Sequence, residues 1–340
     1  MAQPIRVGIN GFGRIGRQAL RAWLKYHPND FSIVAINDPG DPEMQAHLLE
    51  FDTVYGRLDA DVSISGSSLN VAGREIAMTH ERSPADINWG QSDVSVVIDS
   101  TGLFRDREKA AGHLRDSVRK VLISANGSNE DWTVIYGLNH DEYRPADHHV
   151  ISAGSCTTNC VVPVLKVMHD AFEIERGILS TVHAYTGDQN LVDGNHRDWR
   201  RARAAAQNIV PSSTGASGAV AAILPELSGK ISGVAMRVPV VTVSIVDLVT
   251  QLSRSVSADE VNEAFQRAAE GPLKGVLYYE PRQLVSTDFA GHPGSSIFDA
   301  ESTSVVDGSL VQTLSWYDNE WGYASRLADI CALLSERGVE

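Results

Sequence analysis

Ile5-Arg6-Val7-Gly8-Ile9-Asn10-Gly11-Phe12-Gly13-Arg14-Ile15-Gly16 is the stretch that decides the fold of this 340-residue chain. Ile5 to Ile9 is a short apolar run that reads as a buried strand. The glycines follow at once, and a helical apolar pattern then runs through Leu20, Trp23 and Leu24. A second strand, Ile33 to Ile36, ends at Asn37-Asp38. Strand, glycine turn, helix, strand and terminal acid form the context in which G-x-G-x-x-G binds a dinucleotide. Gly11 permits the tight turn, Gly13 lets a pyrophosphate approach the backbone, and Gly16 lets helix and strand pack closely. The first helical turn, entered through Phe12, Arg14 and Ile15, offers N–H groups to the phosphates. Asp38 lies 22 residues after Gly16, where an acid accepts from the adenosine ribose hydroxyls.

Moving outward, Val94 to Ile98 precedes Asp99-Ser100-Thr101-Gly102, and Lys120 to Ile123 precedes Ser124-Ala125. Both are short apolar runs that end in small or hydroxyl residues, as expected at the cofactor edge of a parallel sheet. Thr101 and Ser124 therefore join the candidate cofactor residues. Residues 60–80 alternate and carry turn signals, which predicts a small antiparallel insertion.

The pattern changes after Cys156. Val161 to Phe172 looks helical, with apolar residues at Val161, Val164, Leu165 and Met168. Alternating runs follow at Gly177 to Thr186, Gly233 to Val238, Val240 to Gln251 and Gly308 to Tyr317. They predict a mostly antiparallel sheet with helices on one side. Asp188 to Thr214 is weak in apolar periodicity and holds Arg197, Arg200, Arg201 and Arg203. It reads either as a solvated helix face or as a long ordered loop at a subunit interface. A last helix is predicted over Asn319 to Leu334. The fold expected is α/β: an N-terminal Rossmann dinucleotide-binding domain plus an α+β catalytic domain with a mostly antiparallel sheet.

Gly154-Ser155-Cys156-Thr157-Thr158-Asn159-Cys160 sets a cysteine at a loop-to-helix start. Free N–H groups and the helix dipole favour a thiolate there. His183, 27 residues on, can take or hold the thiol proton. Alone, such a pair is as easily a buried small hydrophobe and an ordinary histidine. Beside a dinucleotide site it becomes equipment for covalent attack on an aldehyde or acyl carbon.

Composition bounds the reading. Hydrophobic residues are 43% and charged residues 21%, as in ordinary globular proteins. The net charge of −14 opposes nonspecific nucleic-acid binding. Three cysteines make no disulfide framework, and Cys156 and Cys160 without closely spaced histidines make a poor zinc site, so no metal is expected. The start Met1-Ala2-Gln3-Pro4 lacks the charged and apolar regions of a signal peptide, and no run is apolar enough for a membrane span. A cytoplasmic location is the expectation.

Across nearly its whole length the chain resembles the phosphorylating glyceraldehyde-3-phosphate dehydrogenase family. The motifs that carry the resemblance are Ile9 to Arg17, Ser155 to Cys160, Thr181 to Thr186 followed by Asp188-Gln189, and Arg200 to Ala205. Pro211 to Ala216, Arg237-Val238-Pro239 and Trp316 to Tyr323 continue them in the family's order. The resemblance implies Cys156 as nucleophile and His183 as its base and acid partner. It implies Thr186 and Arg237 on the substrate's 3-phosphate, with Asp188 orienting the arginine. Ser155, Thr157, Thr214 and Gly215 match the inorganic phosphate site, Asn319 the residue holding the nicotinamide carboxamide, and Asp38 the ribose acid. On residue type alone, the three threonines also suit strands or turns, and Asn319 suits a helix N-cap. The implied reaction converts glyceraldehyde 3-phosphate, NAD and inorganic phosphate to 1,3-bisphosphoglycerate through a thiohemiacetal and a thioester. The implied assembly is a homotetramer. The implied domains are residues 1–155 with 320–340 for the cofactor and 156–319 for catalysis.

Three departures qualify the resemblance. The family's Ser-Asn-Ala-Ser-Cys is here Ser152-Ala153-Gly154-Ser155-Cys156, so an asparagine amide is lost and Gly154 adds backbone freedom. Gly218 stands where the family usually has lysine. Gly194-Asn195 replaces the Leu-Pro pair often found in NAD-specific members before the histidine matching His196. Asp38 repels a 2′-phosphate and Asn195 offers it a donor, so NAD with some NADP use is expected. The alternatives are a sister enzyme acting on erythrose 4-phosphate, a Cys/His hydrolase, and a noncatalytic regulatory protein on the same fold. Ala184-Tyr185-Thr186 counts against the first, the dinucleotide half against the second, and the joint retention of Cys156, His183, Arg237 and Asn319 against the third.

Overall fold

In the computed structural model, residues 4–340 are described. The chain divides into two compact units, Met1–Gly154 with Ala324–Glu340, and Ser155–Tyr323. These divisions fall one residue before and four residues after the boundaries expected from the sequence.

The first unit opens with β1 (Arg6–Asn10), α1 (Arg14–Tyr26), β2 (Ser32–Asn37) and α2 (Pro42–Glu50). A short pair, β3 (Phe51–Asp52) and β4 (Gly56–Arg57), precedes the meander β5 (Val62–Ser65), β6 (Ser68–Val71) and β7 (Arg74–Thr79). Then come β8 (Val96–Asp99), α3 (Arg107–Ala110), β9 (Lys120–Ile123), β10 (Trp132–Thr133) and β11 (Val150–Ser152). Nine strands form one sheet in the order β10-β11-β9-β8-β1-β2-β7-β6-β5. The meander at 62–79 is antiparallel within itself, but β7 runs parallel to β2, so it extends the main sheet. Strands β1, β8 and β9 are buried on both faces, which is why they read as continuous apolar runs. Register places Asn10 beside both Asn37 and Asp99, so three chain ends align at the carboxyl edge.

The second unit contains α4 (Cys156–Phe172), β12 (Ile174–Ala184), β13 (Val210–Ser213), α5 (Ala216–Ile223), β14 (Ile231–Val238) and β15 (Ser244–Leu252). It continues with α6 (Ala258–Glu270), β16 (Leu277–Glu280), β17 (Ser296–Val306), β18 (Leu310–Tyr317) and the start of α7 (Trp321–Arg337). Its seven strands run β13-β14-β12-β15-β18-β17-β16. Four neighbouring pairs are antiparallel, while β12/β14 and β16/β17 are parallel. Along β12, Leu179, Thr181 and His183 face inward, whereas Ile178 and Val182 face out. Helices α4 and α6 pack on the inner face, and Val161, Val164, Leu165 and Met168 are fully buried as their spacing predicts.

Two expectations are corrected. The run from Val240 is strand only from Ser244, because the chain turns through Val243 at φ +66°. The last helix begins at Trp321, and Asp318, not Asn319, caps it: its Oδ1 accepts from the N–H groups of Glu320 at 3.0 Å and Trp321 at 2.9 Å.

Candidate active site

The backbone approaching Cys156 is held by Ser152. Its hydroxyl donates to the Ala125 carbonyl at 2.9 Å and accepts from the N–H groups of Gly127 and Gly154, both at 3.1 Å. Gly154 sits at φ +65°, where a Cβ is costly. Glycine therefore suits this turn, and the buried Ser152 hydroxyl ties it to the 125–127 segment. Ser155 then caps α4, its Oγ accepting from Thr158 N–H at 3.1 Å. Cys156 is the first residue of the helix.

The half-buried sulfur of Cys156 lies 3.5 Å from Nε2 of His183. Nδ1 of the same ring lies 2.6 Å from the Ala184 carbonyl. A carbonyl only accepts, so Nδ1 carries the proton and Nε2 is left as the acceptor for the thiol. Burial, then the charge of Arg237, lowers the imidazole pKa to about 4. Burial raises the thiol pKa, opposed first by Arg237 and then by Thr157. Burial thus works against both charged forms, the thiolate and the imidazolium. Desolvation opposes the thiolate that the helix start favours.

Arg237 lies opposite His183 in the β12/β14 register. Its Nη1 donates to the Thr186 hydroxyl at 2.8 Å and to Gln189 Oε1 at 3.4 Å. Asp188 does not orient it by contact. That carboxylate pairs with Arg201 and has His196 at 3.8 Å. Of the four arginines in the 188–214 loop, Arg197, Arg200 and Arg203 are exposed and Arg201 turns inward, its side chain 15% exposed. Sequence reading missed this, because a segment without periodicity gives no face. Burial, then Arg201, lowers the Arg237 pKa, and Nε of Arg237 and Nε2 of Gln189 are buried without a hydrogen-bond partner. Crowded cations with orphaned donors describe a place that accepts an anion.

The other expected anion ligands divide. Thr214 and Gly215 form the turn from β13 into α5, with Gly215 as its N-cap. Thr157 is engaged within the protein. Its hydroxyl is buried and bonds the Tyr317 hydroxyl at 2.9 Å, which in turn meets Thr181 at 2.8 Å. A buried hydroxyl needs a partner, and Tyr317 provides one, while Thr157 also favours the Cys156 thiolate. Asn319 accepts from Ser244 Oγ at 3.0 Å, and that hydroxyl accepts from Ala184 N–H at 3.0 Å, which ties the carboxamide to the strand carrying His183. Asn195 is exposed in the 188–214 loop.

In the first unit the glycine turn fits a dinucleotide. Gly11 has φ +88°. A Cβ on Gly16 would lie 2.3 Å from the Gly11 carbonyl oxygen, whereas one on Gly13 would meet nothing within 4 Å. The open side of the turn is therefore at Gly13, with Arg14 and Ile15 half-buried beside it. Two expectations shift here. Phe12 has its ring fully buried and its N–H bonded to Asp38 Oδ2 at 2.7 Å, so it braces the turn and offers no donor. The Arg14 guanidinium pairs with Asp52 and lies over the Tyr55 ring, so its side chain is engaged away from the turn. Asp38 also accepts from Gly40 N–H at 2.8 Å and Gln45 at 3.0 Å. Thr101 bonds Asp99 at 2.7 Å, and Ser124 N–H bonds the Asp99 carbonyl at 2.9 Å, both at the carboxyl edge. Among the described residues no cluster of metal-ligating side chains occurs, and no helix is long and apolar enough to cross a membrane.

Each of the two units matches a known family model. Residues 5–107 match the family model "Glyceraldehyde 3-phosphate dehydrogenase, NAD binding domain", and residues 155–319 match its C-terminal domain. The chain is 52% identical over 335 residues to glyceraldehyde-3-phosphate dehydrogenase of Geobacillus stearothermophilus, covering 98% of this chain and 99% of that one. Identity is also 52% to glyceraldehyde-3-phosphate dehydrogenase 1 of Bacillus subtilis over 335 residues and to the Streptomyces coelicolor enzyme over 334, with the same coverage. With the NAD-binding match on the unit that carries the glycine turn and the C-terminal match on the unit that carries the thiol and imidazole, the chain belongs to the glyceraldehyde-3-phosphate dehydrogenase family, as an NAD-dependent oxidoreductase with that activity.

Proposed function

We propose that Cys156 and His183 carry the oxidation of glyceraldehyde 3-phosphate by covalent catalysis. The observation that carries this reading is the 3.5 Å approach of the Cys156 sulfur to an imidazole nitrogen left free to accept a proton. As the thiol sulfur bonds to the aldehyde carbon, its proton passes to Nε2 of His183 and on to the former carbonyl oxygen, giving a thiohemiacetal. Arg237 stabilises the transient thiolate. NAD, when bound, supplies the hydride acceptor. His183 takes the hydroxyl proton back as the carbon is oxidised to a thioester. Inorganic phosphate then attacks the thioester carbon, the carbon–sulfur bond breaks, and the acyl phosphate leaves with the cysteine restored.

Two anions must be held. Thr186, Arg237 and the inward Arg201 are the proposed ligands of the substrate's 3-phosphate, supported by the orphaned donors around them. Ser155, Thr214 and Gly215, at the starts of α4 and α5, are proposed for the attacking phosphate. Asn319 is proposed to hold the nicotinamide carboxamide, Asp38 the adenosine ribose, and Gly13 with Arg14 and Ile15 the pyrophosphate through main-chain N–H groups. Asp38 disfavours NADP, and a minor use of that cofactor through Asn195 completes the proposal.

We further propose a homotetramer in the cytoplasm. Ile178 is 64% exposed on the outer face of the second sheet, and Trp199 is 90% exposed in the basic loop. Large apolar groups on a sheet face and a long loop suit contact with further copies of the chain. Three free cysteines suit a reducing compartment.

The test is Cys156→Ser. NADH formation from glyceraldehyde 3-phosphate and phosphate should vanish while NAD binding stays within about twofold, since a serine hydroxyl ionises far less readily than a thiol. Substantial turnover by that variant sinks the covalent reading. Parallel assays with erythrose 4-phosphate, and without phosphate, separate the sister activities.

A further inference from the structure

The carboxyl edge of the parallel sheet carries a buried polar cluster that the covalent chemistry does not use. Asn10, Asn37 and Asp99 end β1, β2 and β8, and each is at most 3% exposed. Asn37 donates to Asn10 Oδ1 at 2.9 Å, and Asn10 donates to Asp99 Oδ2 at 2.9 Å. Asp99 Oδ1 accepts from the Thr101 N–H at 3.1 Å and from its hydroxyl at 2.7 Å. Fully buried His113 closes the group. The Trp89 indole N–H meets its Nδ1 at 3.0 Å, and its Nε2 lies 3.2 Å from Asp99 Oδ2. An indole can only donate, so Nδ1 bears no proton and Nε2–H is directed to Asp99.

Every group bonded to the Asp99 carboxylate is therefore a neutral donor. Arg105 bonds the Gly102 carbonyl of the same loop at 2.9 Å, but it is exposed, where water screens it. A buried carboxylate satisfied by dipoles alone is expensive to keep. Its position gives the reason. In the order β9-β8-β1-β2-β7, the chain steps from β1 to β2 on one side and returns to β8 on the other. The β1/β8 boundary is the switch point at which a dinucleotide crevice opens. Asp38 lies past the end of β2 and the glycine turn follows β1, so the adenosine half of NAD belongs toward β2 and the nicotinamide half toward β8. Asp99 is the last residue of β8.

Oxidised NAD carries a positive charge on the nicotinamide ring, and NADH does not. We propose that Asp99 is a fixed negative charge that biases this site toward the oxidised cofactor, so that NADH leaves more readily than NAD. It acts through its field and touches neither cofactor nor substrate. The proposal rests on the NAD site and not on the thiol chemistry, and it is tested without aldehyde or phosphate, so its failure leaves the covalent reading intact.

Calorimetric titration of the full chain, freed of nucleotide, with NAD and with NADH is the experiment. Asp99→Asn keeps the side-chain shape and removes the charge. It should lower NAD affinity roughly fivefold relative to NADH, the scale of one charge acting across a partly solvated gap. That variant sets an amide against the donors of Asn10 and His113, so a paired variant, Asn10→Asp with Asp99→Asn, accompanies it. There the new carboxylate at position 10 accepts from Asn37 and His113, and the new amide at position 99 keeps its oxygen toward Thr101. The charge stays at the switch point, and the native NAD/NADH affinity ratio should persist within about twofold. In the unmodified protein, the analogue of NAD with an uncharged benzamide ring should bind several-fold more weakly than NAD. Equal binding of NAD and that analogue overturns the proposal whether or not any variant folds. It is overturned equally by a ratio unchanged in Asp99→Asn, by equal weakening of both cofactors there, or by a ratio lost in the folded paired variant.

Discussion

The sulfur of Cys156 is under opposed influences. Burial holds the proton on, while Arg237 and Thr157 favour its release. Removing the guanidinium should shift the balance by the scale of one pKa unit. Arg237→Leu is expected to slow iodoacetamide alkylation of Cys156 roughly tenfold at pH 7.5. Thr186→Ala, which leaves that charge in place, should spare alkylation and weaken only the phosphate-bearing aldehyde. Equal alkylation rates in both variants would mean that Arg237 acts on the substrate alone. The imidazole adds a second expectation. With its pKa lowered to about 4, His183 is already neutral throughout the range above pH 5. The alkylation profile should therefore show the thiol ionisation at high pH and no histidine inflection near pH 6.5, the ordinary value. A clear inflection there that disappears in His183→Asn would show a charged imidazole in the resting site.

At the scale of elements, α1 and α7 are joined by one ring. His27 closes α1, and its Nδ1 and Nε2 each lie 2.7 Å from a carboxylate, Asp30 and Asp329 respectively. Arg326 reaches the same Asp329 at 2.7 Å. The bond to Asp329 is the largest influence raising the imidazole pKa above its ordinary value, burial opposes it, and Asp30 adds to it. Because the folded value is raised, the stabilisation is full below the unfolded value near 6.5 and is lost as pH rises through the folded one. His27→Gln should therefore cost on the order of 1 kcal/mol at pH 5.5 and almost nothing at pH 9. Urea midpoints of both proteins at the two pH values measure it, and a difference independent of pH would make the contact one of packing.

For the whole molecule, the outer face of the second sheet is the decisive surface. Ile178 and Val182 are 64% and 38% exposed there, on the strand whose inner face carries His183. Ile178→Glu with Val182→Glu places two charges on that face and none in the site. Light scattering at micromolar concentration should then show smaller assemblies than the unmodified protein, while the Cys156 alkylation rate stays within about twofold. An unchanged mass would place the subunit contacts elsewhere.

What the sequence determined by itself was whatever local backbone geometry demands. Only glycine meets the φ of +88° at Gly11 or the 2.3 Å approach at Gly16, so the dinucleotide turn was legible from spacing. Helix α4 was legible because its apolar period and capping serine lie within one segment. The pairing of Cys156 with His183 was suspected from residue type, and their 3.5 Å approach exists only because α4 and β12 are packed in one unit. Tertiary structure alone decided which partner each polar group found. It gave Asp188 to Arg201, Thr157 to Tyr317 and the cap of α7 to Asp318. It also turned Val240 to Val243 out of the strand that their alternation suggested. Buried donors and charges must be satisfied wherever the fold brings them, and those neighbours are distant in the chain. A backbone requirement is written in the residue that meets it, whereas a partner is written nowhere until the sheets and helices have packed.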